Sequence, residues 1–118
     1  MRILIADDSA IVRRGVKNLL STETTWIICG EATDGIATIE KARALNPDLV
    51  LLDVSLPDIN GLEVAKHLRA EMPDVKILII SQHDPAQLLQ SALAAGADAC
   101  VDKGCLGAEL LATIKGIM

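Results

Sequence analysis

The sequence predicts an α/β fold built on a doubly wound parallel sheet, and three observations lead there. Five short apolar runs, at residues 3–6, 26–30, 49–52, 75–80 and 99–101, recur at roughly even spacing. Several are β-branched and continuous rather than alternating, as expected of strands covered on both faces. Between them lie segments whose apolar residues have helical spacing. Strand and helix thus alternate five times, the pattern of parallel strands joined by right-handed crossovers.

Each element has its own signals. The first run, Ile3-Leu4-Ile5-Ala6, leads into Asp7-Asp8 and then Ser9, a suitable N-cap for a helix with Val12, Val16, Leu19 and Leu20 on one face. Arg13 and Arg14 read as the solvated face of that helix. The second run, Trp26 to Gly30, puts Trp26 on the second strand. The second helix uses Ile36, Ile39 and Leu45 and is ended by Asn46-Pro47. The third run stops at Asp53, and the next helix aligns Leu62, Ala65, Leu68 and Met72, with His67 as a plain surface residue. The fourth run stops at Ser81. Asp84-Pro85 then supplies a cap and a first-turn proline for a helix with Leu88, Leu89, Ala92 and Leu93 on one face. Gly96 stands where a left-handed residue closes that helix. The fifth run ends just before Lys103, and the last helix aligns Leu110, Leu111, Ile114 and Met118. No repeat, low-complexity tract or linker interrupts the series, so residues 1–118 are expected to form one domain.

Composition excludes several classes. A chain of 118 residues can bury one core but is short for two. No apolar run approaches the ~18 residues of a membrane span. Met1-Arg2 passes directly into the first strand, without the apolar stretch of a leader, so a cytoplasmic location is expected. A net charge of −5 and a pI near 4.8 argue against holding nucleic acid by its phosphates. Trp26, the one aromatic, leaves no stacking platform for bases. The three cysteines, Cys29, Cys100 and Cys105, form neither a C-x-x-C nor a zinc spacing. Cys29 and Cys100 lie inside apolar runs, as small buried hydrophobes do.

In a sheet of this type, functional groups gather at the carboxyl ends of the strands. Here those ends carry Asp7-Asp8, Asp53, Ser81 and Lys103 after the first, third, fourth and fifth strands. Clustered carboxylates repel unless a cation sits among them. Oxygen ligands with room for water and a phosphoryl oxygen suit Mg²⁺. An unpaired carboxylate at the end of an apolar run, as at Asp53, would be costly. Taken alone, Asp7-Asp8 could equally be a solvated pair before a helix, and Lys103 would mean nothing without its partners.

Asp7-Asp8, the D-V-S-L-P-D-I-N-G of Asp53 to Gly61, the I-I-S ending at Ser81 and the G-A-D-A-C-V-D-K of Gly96 to Lys103 resemble the receiver domain of bacterial two-component response regulators. The resemblance covers essentially the whole chain. V-R-R-G-V from Val12, C-G-E-A-T-D-G-I from Cys29 and S-Q-H-D from Ser81 are most similar to the branch with a C-terminal helix-turn-helix of the LuxR/NarL type. The resemblance implies a flavodoxin/CheY-like sheet of order 2-1-3-4-5 with five flanking helices. It implies a phosphorylation-controlled switch in a His–Asp phosphorelay, with Asp53 accepting a phosphoryl group from a partner histidine kinase. Asp8, Asp7 (partly through water), Asp53 and the Ser55 backbone carbonyl would hold Mg²⁺. Lys103 would pair with Asp53 before transfer and with the phosphoryl group after it, and Ser81 would donate its hydroxyl to a phosphoryl oxygen. Ser55 and His83 would tune aspartyl-phosphate hydrolysis; an exposed polar loop residue is an equally good reading of His83. The chain would be no enzyme beyond its own phosphoryl acceptance and slow autodephosphorylation. Further implications are homodimerisation on phosphorylation, no membrane contact, and DNA reached only through a C-terminal domain of a longer transcription regulator.

Three departures stand out. Cys100 occupies the switch position where the family usually has an aromatic, Gly104 follows Lys103 in place of a proline, and Leu106 replaces the polar cap expected before the last helix. Two rival functions remain. A phosphohydrolase with a strand-end Asp nucleophile would carry D-x-D, and here Ser55 occupies the second position. A phosphorylation-independent docking module, or pseudo-receiver, is raised by Cys100.

Overall fold

The structure is a computed structural model that describes residues 1–82 and 85–118, Pro85 by its backbone alone. His83, a candidate tuning residue, and Asp84, the expected cap of the fourth helix, lie outside the described residues. In chain order the elements are β1 (Arg2–Ala6), α1 (Ala10–Leu20), β2 (Ile27–Ala32), α2 (Gly35–Leu45), β3 (Leu49–Asp53), α3 (Gly61–Glu71), β4 (Lys76–Ser81), α4 (Pro85–Ala94), β5 (Ala99–Asp102) and α5 (Leu106–Ile117), with a 3₁₀ turn at Lys103–Cys105. The strands are all parallel and lie in the order β2-β1-β3-β4-β5, as expected.

The period of two along each strand divides the core into two layers. Leu4, Ala6, Val50, Leu52, Ile77 and Ile79 face Ile39 and Ala42 of α2, Val64, Ala65 and Leu68 of α3, and Ala92 of α4. Ile3, Ile5, Leu49, Leu51 and Leu78 face Val16 and Leu20 of α1 and Leu110 and Ile114 of α5. The strand order reverses after β1, so right-handed crossovers put α1 and α5 on one face and α2, α3 and α4 on the other. β3 is buried along its whole length, which explains its unbroken Leu-Val-Leu-Leu run.

The local signals act largely as expected. Ser9 Oγ accepts the Val12 N–H at 3.3 Å and caps α1. Asn46 closes α2 in a left-handed conformation (φ 49°), and Gly96 follows α4 at φ 97°. Gly96 also packs on Arg69, whose guanidinium donates to the carbonyls of Gly96, Pro73 and Val75 and to Asp98 Oδ2.

Several expectations are corrected. Trp26 precedes β2 instead of lying on it. Cys29 is only half-buried and stands at an irregularity where Ile3 pairs with Ile28 but Leu4 with Gly30. Its Sγ donates to the Ile3 carbonyl at 3.4 Å. Ile36, Leu89, Leu93 and Met118, read as members of the apolar stripes of their helices, are 40–55% exposed. Helical periodicity gives the centre of an apolar stripe, but the neighbouring element decides how wide a stripe is covered.

Candidate functional site

The carboxyl ends of β1, β3 and β5 bring the candidate residues together. Asp7 directly follows β1 and Asp53 ends β3, and both side chains are buried. Lys103 Nζ lies 2.9 Å from Asp7 Oδ2 and 3.1 Å from Asp53 Oδ2. β5 is two strands from β3, roughly 10 Å at ordinary strand spacing, so a long flexible stem is needed to bridge the gap. The bond to Asp7 was not anticipated from sequence, which paired Lys103 with Asp53 alone. Burial by itself pulls the Lys103 ammonium down, but its contacts with Asp7 and Asp53 outweigh this, and its pKa lies above the ordinary 10.5.

The remaining carboxylate oxygens are held from their own loops. Asp7 Oδ1 accepts the Ser9 N–H at 2.8 Å, and Asp53 Oδ1 accepts the Ser55 N–H at 3.0 Å. Among the described residues, Asp7 Oδ2 and Asp53 Oδ2 are buried with no well-directed hydrogen bond and are held by the charge of Lys103. Asp8 is exposed beside them, and Asp7, Asp8 and Asp53 each offer an oxygen within 4.8 Å of the others. Hard oxygen donors, two of them buried and incompletely satisfied and one open to solvent, fit a divalent cation that keeps some of its water. Ser81 is fully buried at the end of β4, in register with Asp102, next to Lys103.

The loop that leaves Asp53 is tied down twice. Gly61 donates to the Val54 carbonyl at 2.9 Å, and a side chain there would collide with the Asp53 carbonyl oxygen, so α3 can start this close only from glycine. Asp58 accepts the Gly35 N–H on Oδ1 at 2.6 Å and the Ile36 N–H on Oδ2 at 2.9 Å, both at the start of α2. Those backbone donors, Gly35 first, hold the Asp58 carboxyl down at about 2. Sequence reading missed Asp58, since nothing local links it to a helix more than twenty residues earlier.

The family model for the response regulator receiver domain matches residues 3–115. The chain belongs to the response regulator receiver domain family. It is 33% identical over 117 residues to the DNA-binding transcriptional activator DevR/DosR of Mycobacterium tuberculosis, covering 99% of this chain and 54% of that protein. It is 36% identical over 119 residues to the response regulator GacA of Pseudomonas viridiflava, covering 98% and 54%. The chain therefore spans about half the length of the curated relatives it matches. Among solved structures, a LuxR-family two-component response regulator from Aurantimonas sp. superposes with a TM-score of 0.92 at 33% identity, covering 98% of this chain and 83% of that one. The response regulator domain of Thermotoga maritima CheB gives 0.89 at 27% identity, covering 99% and 95%.

The atypical positions of this receiver domain also have clear surroundings. Cys100 is half-buried against the layer formed by α2, α3 and α4, and burial, with a smaller push from the Asp102 charge, moves its thiol up. α5 has Cys105 at its N-cap with no side-chain hydrogen bond, so the missing cap expected at Leu106 falls one residue earlier. Asp102 instead accepts the Gly104 N–H at 2.8 Å and caps the 3₁₀ turn. Ser55 and His67 are exposed.

Proposed function

We propose that residues 1–118 act as one phosphoacceptor domain, with Asp53 as the acceptor, switched by a cognate histidine kinase. The observation that carries this is the convergence of Lys103 on two buried carboxylates, with Asp8 open beside them. An Asp53 oxygen attacks the phosphorus of a phosphohistidine; the P–O bond forms as the P–N bond breaks, and the imidazole leaves. Lys103 is freed from Asp53 to meet the incoming phosphoryl oxygens, and the buried Ser81 supplies a hydroxyl at the end of the neighbouring strand. Asp8 and Asp53, with the Ser55 carbonyl and Asp7 partly through water, would hold Mg²⁺. When bound, that ion offsets charge on the transferring group. Asp7 Oδ1 is already engaged by Ser9, which supports giving Asp8 the direct contact.

Ser55 leans against the phosphohydrolase reading: it is exposed, and only its backbone N–H reaches Asp53. The same proposal covers output. Relatives about twice this length are named transcriptional activators or response regulators. This acidic domain is accordingly read as the receiver part of a transcription regulator in the cytoplasm, dimerising on phosphorylation and reaching DNA only through a further domain. Acetyl phosphate with Mg²⁺ should add one phosphoryl group, seen by intact mass, and Asp53→Asn should take none. An undiminished adduct on Asp53→Asn would move the acceptor elsewhere, and no adduct on the wild type would favour the docking module.

A further inference from the structure

Arg13 does not lie on a solvated helix face. It stands in the first turn of α1 with its side chain only 16% exposed, whereas Arg14 is exposed as expected. Its Nη1 donates to the Asp7 carbonyl at 2.6 Å, and its Nε donates to Glu31 Oε1 at 3.0 Å. Glu31 is on β2, and Lys17 holds its other oxygen at 3.0 Å. Lys41 donates to the Glu31 carbonyl. The Asp7 N–H meanwhile donates to the carbonyl of Ala32, the next residue of β2, at 3.0 Å. Asp7 is thus gripped on both sides of its backbone, by β2 directly and by β2 through Glu31 and Arg13.

We propose that Arg13 is a positioning residue for Asp8. The peptide unit is planar, so fixing the direction of the Asp7 carbonyl also fixes the Asp8 N–H and the place of the Asp8 Cα. The Asp8 carboxylate makes no hydrogen bond or ion pair among the described residues, so its backbone is what aims it. A guanidinium suits this task because its rigid fork can hold a carbonyl and a carboxylate at once, which an ammonium on a flexible stem cannot do in fixed geometry. A partly exposed ion pair with Glu31 alone would be worth little. The contact with the Asp7 carbonyl gives the residue its role.

The proposal rests on reading Asp8 as a Mg²⁺ ligand, and its test has a sign that separates it from plain electrostatics. Deleting a positive charge near an acidic cluster should tighten Mg²⁺ binding, whereas releasing Asp8 should weaken it. Mg²⁺ affinity is measured by calorimetry for wild type, Asp8→Ala, Arg13→Gln and Arg13→Lys. Thermal midpoints and the Asp8 amide chemical shift of the metal-free proteins are recorded alongside. Loss of binding in Asp8→Ala supports the ligand reading. Given that loss, Arg13→Gln should bind Mg²⁺ roughly ten-fold more weakly with a displaced Asp8 amide, and Arg13→Lys should also weaken despite keeping the charge. Equal or tighter Mg²⁺ binding by folded Arg13→Lys or Arg13→Gln overturns the positioning role while leaving the site intact. Undiminished binding by Asp8→Ala, or none by wild type, overturns the site reading and this role with it. Should Arg13→Gln not fold, Arg13→Lys decides by the same measurements.

Discussion

Two buried carboxylates share one ammonium at the heart of this domain, and Lys103 is therefore as much a structural residue as a chemical one. In metal-free protein, Lys103→Met leaves Asp7 and Asp53 buried without their counter-charge and should cost about 3 kcal/mol in denaturant unfolding. Added Mg²⁺ should recover part of that loss, because a cation among the same oxygens replaces the missing charge. The alkaline limb offers a second check. The folded-state pKa of Lys103 is raised above its ordinary 10.5, so its contribution is fully present below that value and disappears as pH climbs through the raised one. The stability gap between wild type and Lys103→Met should stay constant from neutral pH to about 10 and close above it. At this scale Asp53 and Lys103 were legible because Asp53 directly follows an apolar run and Lys103 comes two residues after another, at the same end of the sheet. Arg13 was not, because its partners, the Asp7 carbonyl and Glu31, are a backbone atom and a residue eighteen positions away.

Among the elements, α2 depends on its surroundings more than its own sequence suggests. Asp34 caps it locally, accepting the Ala37 N–H at 2.7 Å, while Asp58 takes the two N–H groups that precede. A carboxylate at a helix N-terminus satisfies orphan donors and opposes the helix dipole. Its carboxyl lies at about 2 against the ordinary 3.8, so the support it gives is fully present above 3.8 and is lost as pH falls through about 2. Asp58→Asn should lower the thermal midpoint at neutral pH and speed hydrogen exchange at Gly35 and Ile36. The difference should narrow in acid, and added salt should shrink it at neutral pH. Equal exchange rates in the two proteins would mean that the clasp contributes nothing. Capping by Ser9 and the stops at Asn46 and Gly96 were legible because they act within a few residues. The exposure of Ile36, Leu89 and Leu93 was not, because a stripe's periodicity does not say where its partner ends.

For the molecule as a whole, the question is how far a change at Asp53 travels. Ser81 at the end of β4 and Cys100 in β5 lie on adjacent strands, Cys100 in register with Ile79. A small thiol half-buried against the α2–α3–α4 layer lacks the bulk to couple its position to the hydroxyl of Ser81. A ligand shifts an equilibrium only by its differential affinity for the two states. Binding of a beryllofluoride phosphoryl mimic should therefore move the amide resonances of Ser81 and Gln82 strongly and those of Cys100 and Leu106 weakly. Perturbations of equal size along residues 98–110 would mean that the signal crosses without an aromatic.

By itself the sequence determined the parallel α/β sheet, the strand ends where chemistry would collect, and the identity of Asp8, Asp53, Ser81 and Lys103 as candidates. Those features rest on periodicity and on short-range punctuation, which are written along the chain. Only the tertiary structure decided that Lys103 bridges Asp7 as well as Asp53, that Arg13 turns inward to the Asp7 carbonyl, and that Asp58 closes onto α2. Arg13 reaches a backbone atom six positions back, whereas Lys103 and Asp58 meet partners brought together by crossovers between strands. Their distances are set by sheet order and side-chain reach, neither of which leaves a local trace in the order of the amino acids.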